Sequence, residues 1–222
     1  MSGILAIWND CARGREAAYE EWYQDEHLIE RLSISGFCVG RRYEAIVATR
    51  QFLTTYETEC PEVLASTEYR ERLAHPTERT AAIMRNGFSN MCRTVCERRG
   101  IRGAIRGSVT VTVALTGPDP LARLCEAAEK RPLGIELAHS EIWISAEKEE
   151  ADRSAEEQLR GADAKISGCL ALEYLRHEPA LRAADYMRRA YSDPEIGVYR
   201  LLCSLRSEDL LETLQVSRAA EQ

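Results

Sequence analysis

The sequence predicts an α+β chain made of two tandem β-α-β-β-α-β modules of the ferredoxin-like kind, and three observations carry that prediction. Apolar runs with strand character alternate with helical stretches, and the same order occurs twice. A Gly- and Arg-rich stretch, RRGIRGAIRG, stands between the two series and reads as a linker. Finally, Tyr56 and Tyr174, Pro61 and Pro179, Ala65 and Ala183, and Arg70 and Arg188 recur at one constant separation, all at the same strand-to-helix junction. On this reading residues 1–99 form the first module and 107–222 the second, with an internal duplication as their origin.

Taken in order, ILAIW after Gly3 is apolar and partly β-branched, which suits a strand buried on both faces. A helix from about Arg15 to Leu32 follows, its apolar and aromatic residues recurring at helical spacing. Ser33, Ser35 and Gly36 stop it. The strand GFCVGRRYEAIV then places Phe37, Val39, Arg41 and Tyr43 on one face. The threonine-rich segment from Gln51 to Cys60 is a third strand, and Pro61 suits the first turn of a second helix because it gives up an amide that would be unpaired there. A break at His75-Pro76, a further helical piece and the strand FSNMCRTVC complete the first series. In the second, GSVTVTVALTG, a helix from Pro120 to Lys130, IELAHSEIWIS and SGCLALEYLRHEP repeat the pattern. The acidic stretch from Glu147 to Arg160 has no counterpart in the first series and reads as an exposed insertion, and Ser207 to Val216 reads as a tail helix.

A formal net charge of -7 argues against a sequence-independent nucleic-acid binder, which needs a basic excess to displace counterions. Eight cysteines with no CxxC pair point to free thiols in a reducing, cytoplasmic compartment. No run is long enough to span a bilayer, so no membrane partner is expected. Four scattered histidines without paired spacing predict no metal site.

The chemistry-bearing stretch is YEEWYQDEHLIERL. Tyr19, Tyr23 and His27 follow one another at four-residue spacing on a helix, with Trp22 and Glu26 beside them. An imidazole near a carboxylate can move protons near neutral pH, while phenols can hydrogen-bond a developing oxyanion. The other reading is that aromatics at this spacing are simply core. Arg41 is the arginine expected to face a ligand, with Arg42 solvated; Asp10 stands where it could orient His27.

WYQDEHLIERLSISGFCVGRRY resembles the signature of EthD-like proteins in the dimeric α/β-barrel superfamily, where a helix ending in W/Y-x-x-x-H leads through a Pro-Gly-aliphatic turn into a strand. Two positions depart from it: Ile29 stands where relatives often carry proline, and Ser35-Gly36 replaces Pro-Gly. The resemblance implies two ferredoxin-like sheets closed into a barrel, here an internal pseudo-dimer in which a homodimer is allowed but not required. It also implies a cofactor-independent lyase, isomerase, cyclase or oxygenase acting on a small apolar or aromatic carbonyl compound. His27 would then be the acid/base, with Tyr23 and Tyr19 as oxyanion donors, and Trp22, Phe37, Arg41, Tyr43 and Trp8 would contact substrate. The alternative is a non-catalytic barrel that binds a hydrophobic small ligand or serves in assembly. Some relatives hold haem, but no residue here singles that out, so no cofactor is expected. The second module keeps nothing like His27, which confines any site to the first.

Overall fold

The computed structural model describes residues 1–130, 136–146 and 155–210. Eight strands form the molecule's centre: β1 (Gly3–Cys11), β2 (Phe37–Val47), β3 (Phe52–Thr58), β4 (Phe88–Arg102), β5 (Val109–Leu115), β6 (Leu137–Ser145), β7 (Gly168–Tyr174) and β8 (Glu195–Arg206). They close into one antiparallel barrel in the order β1-β3-β2-β8-β5-β7-β6-β4. Each half contributes a sheet in which its first strand lies between its third and fourth, the order that a β-α-β-β-α-β module requires. The chain is thus a tandem ferredoxin-like pseudo-dimer, and the barrel closes within one polypeptide.

Closure depends on two long strands. β4 pairs with β1 over Phe88–Glu97 and with β6 over Cys96–Arg102, while β8 pairs with β5 and then with β2. The stretch expected to be a linker is therefore strand as far as Arg102. Its glycines still turn the chain: Gly103 has φ +87, and a Cβ there would lie 2.0 Å from the Ala138 carbonyl oxygen. Backbone cannot yield as a flexible side chain can. Gly103→Ala is expected to cost about 1–3 kcal/mol, measured by urea unfolding.

Strand alternation divides the side chains between two environments. Ile4, Ala6, Trp8, Leu53, Tyr43, Trp143 and Cys169 pack together inside the barrel, where the rings of Trp8 and Trp143 lie 6.1 Å apart. Leu5 and Ile7 point outward beneath the first-half helices. The helices cover the outside of the barrel: α1 (Glu16–Trp22) and α2 (Leu28–Leu32), then α3 (Thr67–Ala74) and α4 (Glu78–Asn86) over the first sheet, with α5 (Pro120–Lys130) and α7 (His177–Ala190) over the second. Ser66 and Thr77 cap α3 and α4 by accepting the amides of Tyr69 and Thr80, which explains the break before each. Under α5 and α7 the interface is largely aliphatic, with Val111, Val113, Leu124, Leu170, Ala183 and Met187 buried together beside Tyr174.

The interior also holds ions. Arg98 bonds Glu57 at 2.9 Å and Glu141 at 2.8 Å; Arg106 bonds Glu173 at 2.9 Å and Glu57 at 3.0 Å; Arg41 pairs with Glu57. Beside them, His139 Nδ1 donates to the Gly103 carbonyl at 2.8 Å, and its Nε2 lies 3.4 Å from Glu141.

Candidate functional site

The helix expected from Arg15 to Leu32 is present, but it is not one regular α-helix. Between α1 and α2 the five residues Tyr23–His27 form a π-helical turn. A π turn widens the helix, so residues five apart come into line, and such turns recur at functional sites. Here it brings His27 beneath Trp22, their rings stacked with centroids 4.0 Å apart and planes inclined by 26°. Tyr23 meets His27 edge-on at 5.4 Å. The indole donates to Thr80 Oγ1 at 2.9 Å, and Thr80 in turn donates to Glu26 at 2.9 Å, which fixes Trp22 against α4.

His27 is buried at 5% exposure, and its Nδ1 has no hydrogen-bond partner; the nearest carboxylate is Glu30 at 3.7 Å. Burial, with the charges of Arg31, Arg160 and Arg42 against that of Glu156, holds its pKa well below the usual imidazole value. The ring is therefore neutral at physiological pH. Two more buried polar atoms without partners line the same cavity, Tyr56 Oη on β3 and Arg31 Nη1 on α2. Burial and the neighbouring Tyr23 push the Tyr56 hydroxyl well above its ordinary pKa, and burial likewise raises that of Tyr23. Both phenols remain protonated and can donate. The cavity thus gathers an unprotonated imidazole, the Tyr56 phenol and the Arg31 guanidinium, the parts needed to remove a proton and hold the resulting anion.

The cavity lies between the first-half helices and the outer face of the sheet and has a volume of about 30 Å³, room for about a water. One wall comes from the other half of the chain. Helix α6 (Ala155–Arg160), from the acidic stretch expected to be exposed, packs against α3 and α4. Its Glu156 is buried at 3% and pairs with Arg31, while Leu159 packs near the Tyr19–Trp22 cluster. The correction has a plain cause: the stretch is polar towards solvent but carries one carboxylate matched to a buried guanidinium. The rest of the stretch, 147–154, lies outside the described residues, as does the tail helix beyond Leu210.

The expected site residues divide into three groups. His27 and Tyr23 line the cavity, and Trp22 supports His27 from behind. Tyr19 is buried nearby but turned away, accepting from Asn9 Nδ2 at 2.9 Å. Phe37 packs against Tyr56 and Tyr69 in the adjoining core. Trp8, Tyr43 and Arg41 lie inside the barrel, on the opposite side of the sheet from His27. A bulge between Phe37 and Val39 breaks the alternation that had put Phe37 on the face of Arg41. Arg42 is not solvated: it is buried at 4%, bonds Glu20 at 2.8 Å and lies 4.1 Å from the centroid of Tyr23. Asp10 accepts from the Gln51 amide at 2.7 Å and does not orient His27. Nor does Glu26, which is engaged by Thr80.

Arg31, Tyr56 and Glu156 were not anticipated. The first was within reach, since it continues the four-residue spacing of Tyr19, Tyr23 and His27 by one more step. Tyr56 was visible only as half of a repeated pair, and nothing marked Glu156.

The two buried histidines carry opposite pH signatures. With its pKa lowered on folding, His27 withholds a proton that the unfolded chain takes up, so its contribution is full above the unfolded imidazole pKa and is lost as pH falls below it. For His139, burial is outweighed by Glu141 and the Gly103 carbonyl, and its pKa is raised. Its contribution is full below the unfolded pKa and is lost as pH rises through the folded one. Urea midpoints from pH 5 to 8 are expected to fall less steeply on the acid side in His27→Gln, and to lose their acid-side gain in His139→Gln.

Fold and site together define a dimeric α/β-barrel protein, closed within one chain, with a small polar cavity between helix and sheet of its first half. No family model and no curated protein matches the chain. Among solved structures, an anthrone oxidase-like protein is similar at TM-score 0.56 and 11% identity, over 93% of each chain. A provisionally assigned monooxygenase from Fusobacterium nucleatum is similar at TM-score 0.54 and 10% identity, over 92% of this chain and 94% of that one. A provisionally assigned chlorite dismutase is similar at TM-score 0.52 and 13% identity, over 96% and 98%. At these identities the likeness concerns the fold. No described helix is long and apolar enough to cross a membrane, and no three potential ligands cluster as a metal site among the described residues.

The resemblance in the sequence extends to proteins that hold haem, and the histidines here do not fit that group. His27 has one ring face stacked on Trp22 at 4.0 Å and shares its cavity with Arg31, Arg160 and Glu156, which is not the open apolar slot a macrocycle needs. His139 has Nδ1 committed to a carbonyl and Nε2 aimed at Glu141, and its surroundings are ionic rather than apolar. His75 and His177 are exposed on the surface.

Proposed function

We propose that this chain is a cofactor-independent enzyme for a small aromatic carbonyl compound, with His27 removing a proton beside the carbonyl. Isomerisation, cyclisation and cofactor-free oxygenation of such compounds can begin with that step. Tyr56 would hold the enolate or phenolate oxygen with the positive charge of Arg31 nearby, Tyr23 would fix the ring edge of His27, and Trp22 would back it. Tyr19 has a supporting part, packing edge-on against Tyr23 at 5.0 Å. Phe37 shapes the adjoining core, while Arg41, Tyr43 and Trp8 build the barrel that carries the sheet.

The observation that carries this reading is that three buried polar atoms without partners line one cavity: His27 Nδ1, Tyr56 Oη and Arg31 Nη1. Buried polar groups are nearly always satisfied, and the polar atoms of a ligand would satisfy all three. In the second half the corresponding interface is largely aliphatic, with Tyr174 buried among those side chains. We further read the chain as EthD-like, its halves as a duplication with separate modules at 1–99 and 107–222, and its compartment as the cytoplasm, in keeping with eight free thiols. A homodimer is not needed to complete the barrel.

The test is solvent-deuterium incorporation. Anthrone and a set of aryl ketones are incubated with the protein in D2O, and exchange beside the carbonyl is followed by proton NMR. Exchange above the buffer rate is expected for at least one aromatic ketone. Binding of such ketones with no exchange would favour the second reading, a non-catalytic carrier.

A further inference from the structure

We infer that Arg31 is an anion anchor and that Glu156 is its internal stand-in, so that the cavity takes an aromatic carboxylate whose carboxyl group displaces that of Glu156. The inference rests on the reading above for the position of the site and narrows its ligand class. Three observations support it.

The first is the use Arg31 makes of its fork. A guanidinium can offer two parallel N–H groups to one carboxylate. Glu156 engages Nη2 only, while Nη1, equally buried, has no partner. A carboxylate entering through the cavity could take both, so it would bind Arg31 better than the residue it replaces.

The second is charge. The fixed charges lining the cavity are three arginines, Arg31, Arg93 and Arg160, and one carboxylate, Glu156. Asp163 answers Arg160 from outside the lining, at 2.6 Å. Moving Glu156 out leaves Arg31 without its buried carboxylate beside a neutral histidine, and a ligand carboxylate restores that pair.

The third is the construction of the wall. Glu156 belongs to a six-residue helix that comes from the other half of the chain and rests on α3 and α4. The opposite walls are aromatic: the Tyr69 ring lies 5.6 Å from the Arg31 guanidinium, and Tyr23, Tyr56 and Phe88 also line the space. Aromatic faces suit a planar ring, and the short helix supplies the volume when it is displaced.

Benzoate is the probe, and benzamide its neutral counterpart of the same shape. Calorimetric titration is expected to show benzoate binding at least 10-fold tighter to Glu156→Gln than to the wild type, with benzamide unchanged between them. Glu156→Asp, which keeps the charge but shortens the reach, is expected to show a smaller tightening and serves if the glutamine variant does not fold. The double variant Arg31→Gln, Glu156→Gln removes both charges and is expected to lose the gain. In the wild type, benzoate should speed amide exchange in residues 155–160. Equal binding of benzoate and benzamide, no tightening in either Glu156 variant, or binding with exchange of 155–160 unchanged would each overturn the inference. Deuterium incorporation into ketones is scored separately. A chain that binds benzoate as described but exchanges nothing keeps its anion anchor and loses the enzyme reading.

Discussion

His27→Gln is expected to slow enzyme-dependent deuterium exchange by about 10²–10⁴-fold, the range that a positioned general base contributes. Glutamine keeps a polar side chain of similar reach but cannot take up the proton. The variant should still fold, because the surroundings of His27 are set by Trp22, Thr80 and Glu26, none of which hydrogen-bonds through the imidazole. Loss of the ring stack on Trp22 should cost about 1 kcal/mol. Circular dichroism and a urea titration establish the fold, and the exchange rate then reports on chemistry alone. Exchange at the wild-type rate in a folded variant would remove His27 from the mechanism.

The other large effect concerns stability. Arg98→Met is expected to destabilise the protein by about 3–5 kcal/mol, the usual cost of removing one partner from a buried ion pair. Arg98 binds both Glu57 and Glu141 within the barrel, and Glu141 is buried at 1%. Glu57 keeps Arg41 and Arg106, so the loss falls mainly on Glu141, which is left with His139 and the Trp143 indole. Burial alone would raise the Glu141 pKa, yet His139, Arg98 and Arg106 hold it down to about 2. The stability it contributes is present above the unfolded carboxylate pKa and is lost as pH falls towards about 2. Adding Glu141→Gln to Arg98→Met should recover part of the loss, and a double-mutant cycle on urea midpoints at pH 7 measures the coupling.

The fold was legible because its signals are periodic. Alternation gave the strands, and the repeated order gave the two sheets, whose arrangement the barrel satisfies. The site was legible only where it lies on one helix. His27 and Tyr23 share a stripe that backbone geometry keeps together, but Arg41, Tyr43 and Trp8 came from strands, where side depends on register. One bulge was enough to separate Phe37 from Arg41. The π turn was invisible for a related reason: it changes which residues align without changing composition. Tyr56 and Glu156 reach the cavity through tertiary packing across many residues of chain, and no local pattern encodes such contacts. The Arg98 network was likewise hidden, since its arginines sat in a stretch whose glycines suggested a connection rather than a strand.

Two strands shared between halves also bear on how the molecule forms. β2, near the start, closes against β8, near the end of the described chain, and β4 closes against β6. During synthesis the first sheet therefore exists for a time as an open ribbon with β2 and β4 as bare edges, and bare edges recruit other strands. Those long-range pairings also make folding slow. The second half thus acts towards the first as a built-in chaperone, one that never leaves, sealing both edges.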